Sequence, residues 1–358
     1  MVRTSPNMFR FSRKESDGNY RVTIRLHGCD RVAYCTVWAE ARRLMIEALE
    51  LFPGEVREHS FIVNVRTPAL PPPRPNVPGA SAVRLAPAEI NSPDWDSRLT
   101  FDVPECGALV MGVTVEPVHV PTVYLVGDST VADEWQEPGA SWGQMLPRFF
   151  NPDIAVANHA RSGATLKSFL AELRLDKVLS TLAPGDWLLI QFGHNDQKKE
   201  WPQTYVDAAT SYREYLRAYI AEARRRGAVP VLITSPERRN FGANGQIIDS
   251  LGDYPDAVRV VAREDSVALI DLNAMSKAFY EALGPERAPL AFRDGGRDKT
   301  HHSDYGAYQL ARMVVNGVRA ADMALVGDLA SHLAPDAAAL DPRAPDPPER
   351  FELSDNGG

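Results

Sequence analysis

Cysteine is scarce. Cys29, Cys35 and Cys106 are the three in 358 residues, and none lies in the C-terminal two thirds. An odd count at spacings unlike those of zinc ligands argues against a disulfide-rich scaffold or a zinc module. One structural disulfide stays open, with reduced, half-buried thiols the expected state. No apolar run approaches the ~20 residues of a membrane span. The N-terminus, MVRTSPNMFRFSRKESDG, has no apolar signal core. As written the chain reads as cytoplasmic, and as periplasmic or secreted if a leader has been removed. Basic charge is short as well: 39 Lys plus Arg face 47 Asp plus Glu, a net charge of −8 with no strong basic block. That balance argues against nucleic acid or an anionic membrane as partner.

What is present is ordinary for a soluble globular chain, with 44% hydrophobic and 24% charged residues. The length exceeds what one core usually serves, so two domains are expected, with a tail. Residues 1–116 read as β. Residues 20–26 (YRVTIRL) alternate with period two, residues 33–39 continue the pattern, and residues 60–65, 82–85, 98–103 and 110–115 are further short strands. Their spacing suggests a small β-sandwich. Residues 42–51 (RRLMIEALEL) fit a helix or a strand equally. The proline-rich stretch 68–78 reads as an irregular excursion between strands.

The rhythm changes at Pro121. Buried strands at 122–126 (TVYLV), 154–158, 187–192 (WLLIQF), 229–234 and 267–272 alternate with helical stretches, including an amphipathic helix over 205–226 and a last helix over 306–321. Alternation over 121–333 argues for a parallel sheet with helices on both faces, which places a site beyond the carboxyl ends of the strands. Residues 334–358, rich in Pro and Asp, read as an irregular tail, with Phe351 the candidate to dock on the body.

Polar motifs stand at those strand ends. Ser129, in Gly-Asp-Ser-Thr, reads either as a helix N-cap or as an exposed hydroxyl whose own N–H faces an anion. Gly163 is either a turn glycine or a backbone donor close to a ligand, and Asn195 a loop cap or a fixed amide donor. Asp298 and His301 stand three apart ahead of the last helix. On a turn, the carboxylate can hold one ring nitrogen and leave the other as a base. His302 competes for that role, and the spacing from Asp298 favours His301. Together these residues are the inventory of acyl transfer: nucleophile, base, orienting acid and two further oxyanion donors. Arg238, Arg239 and Trp201 are candidate substrate contacts, with Tyr205 and Tyr305 as weaker stacking candidates. Trp142 is expected beneath the nucleophile loop, and Asp128 and Asp196 are expected to brace their loops.

Gly127-Asp128-Ser129, Gly163, Gly193-His194-Asn195-Asp196 and Asp298-Lys299-Thr300-His301 resemble the four blocks of the SGNH (GDSL-type) hydrolases. Thr130 stands where the general signature has leucine. With Ser141-Trp142-Gly143 and Asn158-His-Ala-Arg-Ser-Gly163, it makes the chain more similar to the rhamnogalacturonan acetylesterase branch. The resemblance covers residues 122–321. It implies a flavodoxin-like three-layer α/β/α hydrolase domain, with Ser129 as nucleophile, His301 as base and then acid, and Asp298 orienting it. Ser129, Gly163 and Asn195 would form the oxyanion hole. The implied activity is a serine esterase, acting without cofactor or metal, that deacetylates an oligo- or polysaccharide. Rhamnogalacturonan comes first, acetylated xylan second, and a lipase or thioesterase third. The competing class is a non-catalytic carbohydrate-binding protein whose N-terminal β domain supplies the affinity.

Overall fold

The computed structural model describes residues 8–72, 79–321, 323–330 and 341–346. Residues 73–78 of the proline-rich stretch lie outside them, as do residues 334–340 and 347–358 of the tail, Phe351 included.

Seven strands occupy the N-terminal region: β1 (Phe9–Lys14), β2 (Gly18–Gly28), β3 (Ala33–Ala39), β4 (Arg43–Leu51), β5 (Val56–Val65), β6 (Arg98–Val103) and β7 (Ala108–Val118). They form two antiparallel sheets, ordered β1-β6-β3-β4 and β5-β2-β7. Alternation sorts the side chains: Tyr20, Val22, Ile24 and Leu26 of β2 are buried, and Arg21, Thr23 and Arg25 between them are not. Those four join Val37, Phe61 and Phe101 in one apolar cluster drawn from both sheets. The ambiguous residues 42–51 are strand because β3 offers a partner, with Cys35 opposite Leu49 and Trp38 opposite Leu44. Pairing there outweighs the helical preference of Leu, Met, Glu and Ala.

Two expectations fail in this region. Residues 82–85 make only an isolated bridge between Ala82 and Ala69, because Arg84 donates its N–H to the carbonyl of Glu172 in the other half of the chain. The expected reduced thiols are corrected too. Cys35 and Cys106 are joined, with Cα atoms 5.2 Å apart across 71 residues of sequence. The pairing of β6 against β3 brings the turn after β6 back to the start of β3. Cys29 is free.

The second region holds β8 (Thr122–Gly127), β9 (Ala155–Asn158), β10 (Trp187–Gln191), β11 (Val229–Ile233) and β12 (Ala268–Ile270). All pair in parallel, in the order β12-β11-β10-β8-β9. Counted along the chain this is the doubly wound order 2-1-3-4-5, whose direction reverses between β8 and β10. Every residue of β8, β9 and β10 is buried, as strands covered on both faces require. The helices are α1 (Trp142–Met145), α2 (Leu166–Ala171), α3 (Arg174–Leu179), α4 (Ser211–Arg225), α5 (Tyr254–Glu264), α6 (Leu272–Arg287) and α7 (Asp304–Ala320). The first and the last two pack in one apolar cluster with the sheet, and α2 to α5 in the other.

The helix expected from residue 205 begins only at Ser211. The Asp207 carboxylate takes the N–H groups of Ala209 and Thr210 and holds them in a turn instead. α5 and α6 have no counterpart among the sequence-based expectations. Among the described residues, no helix is long and apolar enough to cross a membrane. Of the tail, residues 341–346 meet α7, where the Tyr305 hydroxyl donates to the Asp346 carbonyl at 2.9 Å.

Candidate active site

Ser129, Gly163 and Asn195 lie on loops that leave the carboxyl ends of β8, β9 and β10, and Asp298 and His301 on the segment between α6 and α7. Gly127 closes β8, and a Cβ there would stand 2.6 Å from the Gln191 carbonyl oxygen and from the Val131 side chain. Only glycine lets the chain turn so closely into Asp128 and Ser129. A buried relay then fixes that turn. Trp142 Nε1 donates to Gln191 Oε1 at 2.7 Å, and Gln191 Nε2 donates to Thr130 Oγ1 at 2.7 Å. Thr130 in turn donates its hydroxyl and its N–H to Asp128 Oδ1, at 2.8 and 2.9 Å. Trp142 is fully buried. Burial pushes the Asp128 carboxyl up, against the two hydrogen bonds from Thr130.

Ser129 Oγ lies 2.9 Å from His301 Nε2, and His301 Nδ1 lies 2.8 Å from Asp298 Oδ2. With the ring proton assigned to Nδ1, Asp298 accepts it and Nε2 is free to take the serine proton. The other carboxylate oxygen accepts the N–H groups of Thr300 and His301 at 2.7 and 3.0 Å. Desolvation works against the Asp298 charge, yet these bonds and the His301 ring hold its carboxyl well below the usual range. Arg293 Nε also donates to Asp298 Oδ2, at 2.8 Å. Sequence reasoning missed Arg293.

His302 is placed differently. It is fully buried, its Nε2 lies 2.8 Å from the Tyr280 hydroxyl, and burial lowers it to about 3. Its neighbour faces the serine; it does not.

Gly163 follows β9 with φ +82, a conformation that suits glycine. Among the described residues, the N–H groups of Ser129 and Gly163 meet no acceptor. Asn195 follows β10, nearly buried, with its amide held at both ends: Nδ2 donates to the Ala164 carbonyl at 3.1 Å, and Lys198 Nζ donates to Oδ1 at 2.8 Å. One amide hydrogen is left over. Asp196 braces this loop by accepting the N–H groups of Gly193 and Leu166, and burial raises its carboxyl to about 7. Lys198 was missed, and a lysine three residues past an asparagine is too common a spacing to single out.

The candidate substrate contacts divide. Trp201 is half exposed, with Lys198 Nζ 5.2 Å from its ring centre. Arg238 is turned inward to the Ser250 side chain and carbonyl. Arg239 donates to the Gly296 carbonyl and lies over the Phe292 ring. Tyr205 is half-buried beside Asp207. Tyr305 is corrected: at 4% exposure it packs edge-on to Phe279, because its place on α7 faces the core. Among the described residues, no group of three or more His, Cys, Asp or Glu side chains could hold a metal ion.

Residues 125–309 match the GDSL-like lipase/acylhydrolase family. The chain belongs to that family. It is 40% identical over 222 residues to the rhamnogalacturonan acetylesterase RhgT of Bacillus subtilis, across 58% of this chain and 94% of that one. It is 39% identical over 202 residues to the probable rhamnogalacturonan acetylesterase YesY of the same organism, across 55% and 92%. Among solved structures, protein YXIM of Bacillus subtilis is similar at 25% identity with a TM-score of 0.55, covering 88% of this chain and 81% of that one. As a member of this family the chain is a carboxylic ester hydrolase.

Proposed function

We propose that this protein is a serine esterase that removes acetyl groups from rhamnogalacturonan or its oligosaccharides. The observation that carries the chemistry is the hydrogen-bonded run from Ser129 through His301 to Asp298. The substrate follows from the likeness to RhgT and YesY.

In this reading Ser129 Oγ attacks the ester carbonyl while its proton passes to His301 Nε2. The N–H groups of Ser129 and Gly163 and the free amide hydrogen of Asn195 receive the oxyanion. The carbon–oxygen bond to the sugar breaks, and the departing alkoxide takes the proton from His301. Water, deprotonated by the same ring, then frees acetate and restores Ser129. Asp298 keeps the imidazolium in place throughout. Trp201, exposed and beside Lys198, which bonds Asn195, is the ring offered to a sugar face.

The same reading divides the chain at residues 116 and 121, into a sandwich-like N-terminal unit (1–116), a hydrolase domain (121–333) and a tail (334–358). The Cys35–Cys106 bond fits an oxidising compartment, periplasmic or extracellular.

Acetate release from native acetylated rhamnogalacturonan, acetylated xylan and their oligomers tests the substrate, and Ser129→Ala tests the mechanism. Rhamnogalacturonan should give the highest kcat/KM. The alanine variant should lose roughly 10⁵–10⁶-fold in kcat, as for nucleophiles of this kind. Acetate release by Ser129→Ala at the wild-type rate would overturn the assignment.

A further inference from the structure

The turn between β3 and β4 reaches out of the antiparallel sheets into the second region. Arg42 Nη1 donates to the carbonyls of Glu134 and Gly139, at 3.3 and 3.0 Å. These are the two ends of the excursion that follows the Ser129 loop. Its Nη2 donates to both oxygens of Asp304, at 3.0 and 3.1 Å. Asp304 opens α7, three residues after His301. One planar fork therefore ties the outgoing limb of the serine loop to the segment that follows the histidine. Ala140 closes the same gap by donating its N–H to the His302 carbonyl at 3.0 Å.

Arg43 does the parallel work one residue on. It is buried, and it donates to Asp133 Oδ2 at 2.6 Å, to Asp94 Oδ1 at 2.7 Å and to the Asn64 carbonyl. The other oxygen of Asp133 accepts from Asn158 Nδ2 at 2.7 Å, and Asn158 ends β9, whose loop carries Gly163. Gln144 completes the junction with bonds to the carbonyls of Ala41 and Glu134. The turn adopts an uncommon backbone to make this reach. Glu40 and Arg42, neither of them glycine, have φ of 52 and 59, a conformation that costs about 1 kcal/mol or more per residue and persists where the surroundings enforce it.

We propose that Arg42 is a positioning residue for the esterase reaction, holding the Ser129 loop and the His301 segment in register from the N-terminal sheets. The proposal rests on the assignment of Ser129 and His301 given above. A bidentate fork is needed because three acceptors on two loops must be met at once, which a lysine ammonium on a flexible stem does less well. If the fork is lost, the serine–histidine distance relaxes while the acyl pocket keeps its walls. A misplacement of about an ångström costs on the order of 10²-fold in rate.

The test uses p-nitrophenyl acetate, too small to report on polysaccharide contacts, with Arg42→Ala, Arg42→Lys, Arg10→Ala and Ser129→Ala in the full chain. Arg10 pairs with Asp102 on the exposed side of the same sheet. Arg42→Ala should lower kcat roughly 10–10²-fold with KM within about twofold, and millimolar guanidinium should restore part of the loss. Arg42→Lys should fall between it and wild type, and Arg10→Ala should match wild type. Should Arg42→Ala not fold, Arg42→Lys decides: reduced kcat at unchanged KM supports positioning. Wild-type kcat in every folded Arg42 variant overturns the proposal, provided Ser129→Ala is inactive. An active Ser129→Ala would overturn the site assignment instead, so the two failures are distinct.

Discussion

The two regions of this molecule handle polar groups in opposite ways. In the parallel sheet, strands are apolar on both faces and polar chemistry is pushed to the carboxyl rim, where Ser129, Gly163 and Asn195 follow β8, β9 and β10. In the antiparallel region, polar side chains alternate along each strand, and the buried charges gather at the boundary with the other half: Arg43 and Arg66 with Asp94 and Asp133. A parallel sheet concentrates function because its strands all point one way. An antiparallel pair has no such common end, so its contribution comes from a turn. RhgT is matched along 94% of its length by 58% of this chain. The remainder is therefore not a general requirement of the family, which makes its grip on the site loops a feature to test.

The largest effect is expected from the disulfide, which belongs to the antiparallel region alone. A bond closing a loop of 71 residues stabilises by about 4 kcal/mol if it acts mainly by restricting the unfolded chain. Cys106→Ser should lower the denaturant midpoint of whichever unit contains the bond. If the two regions unfold independently, a first transition moves and the second stays, and the esterase rate survives the first. If the boundary charges couple them, one transition moves as a whole and activity leaves with it. Activity followed beside circular dichroism through a denaturant series distinguishes these outcomes.

Next in size is an effect confined to the parallel region. Asn195→Ala should cost roughly 10²–10³-fold in kcat, or about 3–4 kcal/mol, with little change in KM and little in the unfolding midpoint, because an oxyanion donor works in the transition state. A rise in KM with kcat held would make Asn195 a ground-state contact. The comparison with Arg42 is sharpest here: both variants should lose kcat, but in the proposed mechanism only the asparagine meets the reacting ester.

How much of this could be read beforehand follows from the same contrast. The buried runs TVYLV and WLLIQF announced central parallel strands, and the strand-end motifs announced a rim. Ser129, singled out at such an end, meets His301 and through it Asp298, singled out by their spacing ahead of the last helix, although 172 residues separate the serine from the histidine. Residues that act through long-range contacts were not. Arg42 sits in a run that fits either helix or strand, and its partners Glu134, Gly139 and Asp304 lie about a hundred or more positions away. Arg293 and Lys198 are single charges with no local pattern. The Cys35–Cys106 bond depends on β6 lying beside β3, a pairing that strand periodicity does not specify. Gln191 did leave a signal, an amide closing a run of buried apolar residues, where it needs partners on both its atoms.

The smallest effect expected per step is in pH, and it probes the boundary itself. Glu40 stands in the β3–β4 turn, with Oε1 accepting the N–H of Thr100 at 2.9 Å. Burial pushes its carboxyl up to about 8, while the charge of Arg43 and the Thr100 bond pull it back. Between the ordinary value of 4.5 and about 8, the folded chain thus carries a proton that the unfolded chain has released. Stability from this group is full below pH 4.5 and falls as pH rises through that window, by at most about 1.4 kcal/mol for each pH unit. Glu40→Gln keeps an oxygen for Thr100 and has no charge to develop, so it removes this slope. Relative to wild type, the variant should gain a degree or two in Tm between pH 6 and pH 7, and nothing between pH 3 and pH 4. Buried His302, lowered to about 3, slopes the other way in both proteins: as pH falls from about 6.5 toward 3 the unfolded ring takes a proton that the folded ring refuses, and stability falls. It cancels in the difference. Parallel Tm curves for the two proteins from pH 5 to pH 8 would mean that the half-buried Glu40 is solvated well enough to keep an ordinary carboxyl, and that the boundary is looser than its hydrogen bonds imply.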